Sequence, residues 1–125
     1  MHYWDKLATY EREGYTIVLD KTWEDLSPRD CFDDSVTDLD KMCRDIDSGY
    51  LDWFMLRVRV FVEDLEIART TLGGNLYENA HDILTDGCAE DMIYEALAEA
   101  KGRVYSLSRT FTELSYAVDA EGVLA

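Results

Sequence analysis

AEDMIYEALAEAKGRVYSLSRTFTELSYAV, Ala89 to Val118, is the stretch the rest of the chain must be arranged around. Ile93, Leu97, Ala100, Val104, Leu107, Phe111, Leu114 and Val118 recur in alternating steps of four and three. That spacing keeps one apolar stripe along one side of a long α-helix. Asp91, Glu95, Glu99 and Arg103 fall off the stripe, and Ala96, Ala98, Ala100 and Gly102 thin the middle of the helix, which predicts close approach to a sheet. A strict four-three repeat also fits a coiled-coil seam. The small residues favour packing on the chain's own sheet, and homodimerisation stays open.

Upstream, the period changes from helical to two. Phe54, Leu56, Val58, Val60 and Val62 alternate with Met55, Arg57, Arg59 and Phe61, the strongest strand signal in the chain. A return strand from Leu65 to Leu72 follows a Glu63-Asp64 connection, which would set Val62 opposite Leu65 and Val60 opposite Ile67. Gly73-Gly74 marks a bend or bulge, Leu76 and Tyr77 continue the strand, and Ala80 to Leu84 form a short helical piece before Asp86-Gly87. Nearer the N-terminus, Tyr15, Ile17 and Leu19 read as a strand, preceded by a short helix from Tyr3 to Glu13 that Gly14 would end. Ser27-Pro28-Arg29-Asp30 has the form of a helix start, with Ser27 as N-cap and a turn or two to follow. A second start around Ser35 to Thr37 leads into Val36, Leu39, Met42, Cys43 and Ile46 and stops at Ser48-Gly49. The tail from Asp119 should fray. The order α-β-α-α-β-β-α predicts one α+β domain, residues 1–125: a small, mainly antiparallel three-stranded sheet covered by helices, with a long C-terminal amphipathic helix.

A chain of 125 residues with 47% apolar content and fifteen aromatics can bury a core without disulfides or metal. No Lys/Arg-led apolar leader and no bilayer-length apolar run is present, so a soluble cytoplasmic protein is expected. Cys31, Cys43 and Cys88 match no zinc or redox spacing and read as reduced, buried thiols. The 27 acidic against 12 basic residues give a net charge of −15. Such a field repels nucleic-acid phosphates and anionic membranes and attracts basic surfaces.

Charge is concentrated between Asp20 and Asp52, where eleven acids face Lys21, Arg29, Lys41 and Arg44. On the helix after Ser35, Asp34, Asp38 and Asp45 lie close to one line, with neighbours four residues apart separated by about 6 Å. Successive phosphates on a nucleic-acid strand lie about 6 to 7 Å apart, given a per-strand rise near 3.4 Å plus the helical path. Carboxylates at that pitch suit a Lys/Arg groove built for DNA or RNA, and they equally suit a solvated helix face with acids near its N-terminus. The candidate partner-binding set is Asp20, Trp23, Glu24, Asp25, Asp30, Asp33, Asp34, Asp38, Asp45 and Tyr50, with Trp23 and Tyr50 as apolar anchors.

Catalysis and cofactors are not expected. Asp45-Ile46-Asp47-Ser48-Gly49 begins like a calcium loop, but Tyr50 stands where its glycine belongs and Leu56 where its bidentate glutamate belongs. The only histidines are His2 and His81, and Asp86-Gly87-Cys88-Ala89 is no recognisable nucleophile setting. Walker, dinucleotide, G-x-S-x-G and H-E-x-x-H motifs are missing from the sequence.

In size, acidity and its Asp20 to Asp52 segment the chain resembles the small acidic proteins that phages and other mobile elements use against host defence, the DNA-mimic anti-restriction and anti-CRISPR type. That resemblance implies a non-catalytic inhibitor that occupies a basic nucleic-acid-binding groove on a host protein complex, without touching nucleic acid or membrane itself. The alternative is a structural or adaptor protein, homodimeric through its last helix, whose acidity serves solubility.

Overall fold

The computed structural model describes residues 3–33, 35 and 38–121. Four strands form one antiparallel sheet in sequence order: β1 (Asp5–Arg12), β2 (Tyr15–Trp23), β3 (Asp52–Val62) and β4 (Leu65–Tyr77). Between β2 and β3 lie the one-turn helix α1 (Pro28–Cys31) and α2 (Leu39–Asp47). A 3-10 turn (Ala80–Leu84) and the 34-residue helix α3 (Cys88–Glu121) follow β4. The fold is α+β, with four strands where three were expected. No helix among the described residues is long and apolar enough to cross a membrane.

The extra strand is the segment read as a helix from Tyr3 to Glu13. It forms a hairpin with β2, Arg12 facing Tyr15, through a Glu13-Gly14 turn in which both residues have positive φ, 53° and 86°. Two such residues give a turn whose twist matches the strands it joins. A register shift between Lys6 and Ala8 hides the period of two: Leu7 and Ala8 are both half-buried, so the apolar positions mimic helical spacing.

β3 is central and alternates as expected, with Phe54, Leu56, Val58 and Val60 buried. Val62 does face Leu65, but a second register shift between Val60 and Phe61 sets Val60 opposite Ala68 rather than Ile67. At Gly73-Gly74 the expected bulge is present, the single β3 residue Met55 standing against the two glycines of β4. The Asn75 side-chain amide closes it, donating to Phe54 O at 3.1 Å and Leu72 O at 2.7 Å. A Cβ at Gly73 would stand 2.9 Å from the Glu24 Oε2, so the buried Glu24 carboxylate would have to shift to admit one.

The helical caps follow the sequence. Ser27 and Asp30 form a capping box around Pro28 at the start of α1. Asp38 caps α2, accepting from Lys41 N at 3.1 Å, and Gly49, φ 85°, follows its end. The second helix start, read at Ser35 to Thr37, falls partly on Val36 and Thr37, outside the described residues.

One face of the sheet carries the core. Ile17 and Leu19 of β2, the four β3 residues, and Ile67 of β4 meet Ile83, Ile93, Ala96 and Ala100. Each fully buried aliphatic side chain contributes about 1.5–3 kcal/mol of transfer free energy, so Leu56→Ala, at the centre, would cost about 2–5 kcal/mol. Ala96 and Ala100 are the small residues that admit the sheet. Ala98 and Gly102 are exposed, and a Cβ on Gly102 would meet nothing within 4 Å, so Gly102 is no close-approach residue. The helical backbone of α3 continues through Glu121, and the rest of the tail expected to fray, residues 122–125, lies outside the described residues.

Candidate interaction surfaces

The stripe on α3 divides at Val104. Met92, Ile93, Ala96, Leu97 and Ala100 are buried against the sheet and the 3-10 turn, and Val104 packs at the core edge. The Arg103 guanidinium marks the last tie to the sheet, donating to Ile67 O at 3.0 Å. Every residue from Tyr105 to Ala117 is exposed, and the stripe continues outward with Leu107, Phe111 and Leu114 at 42%, 63% and 56% exposure. The reason is length. Thirty-four helical residues span about 51 Å, whereas a domain of this size has a radius of gyration of about 14 Å. The four-three repeat outlasts the sheet it packs on.

The acidic segment has a different organisation from a row of phosphates. Asp20 lies mid-strand in β2, directly opposite Arg57, and is 3% exposed. Its Oδ2 accepts from Arg57 Nη2 at 2.7 Å, Arg57 Nε at 3.2 Å and Arg59 Nη2 at 2.8 Å. Trp4 stacks on Arg57, 3.9 Å from ring centroid to guanidinium carbon, and Arg59 leads on to Glu66 and Arg69. Asp20 is therefore a structural counter-ion on the second face of the sheet, withdrawn from any partner. Sequence reasoning missed this cluster. An aspartate at a period-two position facing a strand with Arg57-x-Arg59 was the available signal.

Other members of the expected set have local work. Glu24 is buried against the Gly73-Gly74 bulge. Asp25 is exposed and accepts from Trp23 Nε1 at 3.1 Å. Asp30 and Asp38 cap helices, and Asp33 accepts from Ser35 N at 2.9 Å. Asp45 is half-buried and paired with Lys41 at 3.0 Å. Asp34 lies outside the described residues. Beyond that set, Asp40 pairs with Arg29, and Asp52 pairs with Lys21 at 3.2 Å.

The backbone N–H of Ser35 holds Asp33 below its ordinary pKa, and Arg29 does the same for Asp40. Asp25, Asp30, Asp33, Asp38 and Asp47 are exposed. Of the expected line of Asp34, Asp38 and Asp45, Asp38 is a capping residue and Asp45 sits in a half-buried ion pair. Trp23 and Tyr50 are exposed as expected; Tyr50 donates to Glu78 at 2.9 Å, which raises its pKa. Trp23 borders a shallow cleft of 210 Å³ with Tyr3, Lys21 and Asp52, smaller than the roughly 300 Å³ at which ligand pockets begin.

Cys31 is exposed and Cys43 and Cys88 are half-buried, so none is the fully buried thiol expected. Burial, with Asp86 and Asp91 nearby, raises the Cys88 pKa and keeps it protonated, the reverse of an activated nucleophile. Among the described residues no three His, Cys, Asp or Glu side chains gather where they could hold a metal ion. No protein-family model matches the chain, and neither a curated protein nor a solved structure matches it.

Proposed function

We propose that the protein works by binding rather than catalysis, as a structural or adaptor protein in the cytoplasm that associates through the C-terminal half of α3. The observation that carries this reading is the continuation of the core stripe into solvent as Leu107, Phe111 and Leu114. Contiguous apolar surface rimmed by polar residues marks interaction sites on soluble proteins. Ser108, Thr110, Ser115 and Ala117 flank the seam without charge, and Arg109 and Glu113 lie outside it, 3.9 Å apart. On this reading the acidity of the body serves solubility.

A second reading, the DNA-mimic inhibitor of a basic nucleic-acid-binding host complex, is favoured by the exposed Asp25, Asp30, Asp33, Asp38 and Asp47, with Trp23 and Tyr50 beside them in sequence. Its contact set excludes Asp20, Glu24 and Asp45. The two readings separate by salt. Partners captured through the helix stay bound at about 0.5 M salt, where screening is strong, and are lost with Leu107→Asp or Phe111→Asp. Partners held by carboxylates elute at that salt and are lost with Asp25→Lys, Asp33→Lys and Asp47→Lys combined. Capture that survives both sets of substitutions contradicts both readings.

A further inference from the structure

We propose that the cleft beside Trp23, at the open end of the sheet, receives an arginine side chain from a basic partner protein. The proposal goes beyond both readings above, since it needs neither the α3 seam nor the exposed aspartates of residues 25 to 47. Unequal strand lengths create the cleft. The β1–β2 ladder ends where Asp5 faces Lys21, while β2 continues through Thr22 to Trp23, which faces Phe54 of β3. Residues two apart on a strand share a face, so Asp5, Lys21, Trp23, Asp52 and Phe54 all lie on the face that carries the core.

On β3 the core ends at Phe54. The Lys21 ammonium stands 5.7 Å from the centroid of that ring and donates to Asp52 Oδ2 at 3.2 Å. Past this pair the face opens into the cleft of 210 Å³, with the exposed rings of Tyr3 and Trp23 among its walls and Asp5 and Asp52 as its carboxylates.

Size, charge and ring chemistry select the occupant. A volume below the roughly 300 Å³ of small-molecule pockets suits one side-chain head rather than a cofactor or a whole metabolite. Two carboxylates share one ammonium, and among the described residues no cation pairs with Asp5. In a chain of net charge −15 that balance attracts a cation and rejects an anion. Lys21 already answers Asp52, which leaves Asp5 to the incoming group. A planar guanidinium can stack on an aromatic ring while its N–H fork meets a carboxylate, and it is more weakly hydrated than an ammonium. One exposed ion pair and one ring contact amount to a weak site, so occupancy depends on further contacts from the polypeptide that carries the arginine.

NMR titration of the isotope-labelled full chain tests this with two capped peptides, Gly-Gly-Arg-Gly-Gly and its citrulline counterpart, which keeps the shape of arginine without its charge. The arginine peptide should shift the Trp23 indole signal and the amides of residues 3 to 5, 21 to 23 and 52 to 54, saturating at millimolar concentration; the citrulline peptide should shift none of them. Asp5→Asn and Trp23→Leu should each weaken binding about threefold, and together about tenfold. Both side chains are exposed, so amide spectra away from the cleft should be unchanged in the variants. No saturable shift, or shifts spread evenly over the amides of Asp30, Asp38 and Asp47, would overturn the site. Equal binding of the citrulline peptide, or of a lysine peptide, overturns the guanidinium as its occupant. Undiminished affinity in the double variant overturns the cleft as the place of binding.

Discussion

Replacing Asp20 by asparagine keeps the shape of the side chain and removes the charge that two arginines share. Its Oδ2 accepts three bonds from Arg57 and Arg59, whose side chains are only 12% and 24% exposed. Removing one partner of a buried ion pair costs about 3–5 kcal/mol, because the other charge is left without compensation. Both guanidinium groups keep some access to water, so the lower end applies, about 3 kcal/mol. An unfolding entropy of about 2.1 cal/mol/K per residue gives roughly 0.26 kcal/mol/K for the chain, so the melting temperature should fall by about 11 °C. Asp20→Leu combined with Arg57→Met and Arg59→Met should recover most of that loss, since apolar replacement of a whole buried charge cluster is often neutral. The assay is thermal unfolding followed by near-ultraviolet circular dichroism at neutral pH, with urea denaturation as the check. A fall of less than about 3 °C for Asp20→Asn, or a triple variant as unstable as the single one, would refute the assignment of Asp20 as counter-ion.

Gly102→Ala should raise stability by about 1 kcal/mol, because its Cβ meets open space and alanine is the better helix former; an unchanged or lower thermal midpoint would mean the glycine is needed. Gly73→Ala should destabilise by about 1–3 kcal/mol through collision with Glu24. In a double-mutant cycle with Glu24→Ala the cost of the alanine should shrink, and an additive pair would place the strain elsewhere. Arg29 lowers the Asp40 pKa, so that group's contribution is complete above the ordinary carboxylate pKa near 4 and is lost as pH falls through the lowered folded value. Wild type should therefore melt above Asp40→Asn at neutral pH, and the two midpoints should converge as pH falls through the lowered folded value; a constant gap across the series argues against the pair.

How legible each element was depended on whether its signal was local. The central strand was legible because Phe54 to Val62 keeps one period on both faces. The Ser27 capping box and the Gly73-Gly74 bulge were legible because local chemistry dictates them. β1 was not, because the irregularity between Lys6 and Ala8 puts two neighbouring apolar residues at half-burial and breaks the alternation that would have marked a strand. Asp20 was read with its sequence neighbours, whereas its charge is answered by β3, 37 and 39 residues away. The stripe on α3 was read in full, but periodicity is indifferent to where the supporting sheet ends. The change from an alanine-rich to a serine- and threonine-rich sequence after Gly102 was the available sign that the helix there no longer faces the core.

Amide hydrogen exchange along α3, compared between wild type and Phe111→Asp at the same concentration, tests most directly that the helix is two functional halves. The account predicts that residues 89 to 100 exchange slowly in both proteins and that residues 105 to 117 exchange faster, slowing only in the wild type when a partner captured through the helix is added. Equal slowing of residues 105 to 117 in the two proteins by that partner, or protection in the variant lost as far back as Ile93, would contradict it.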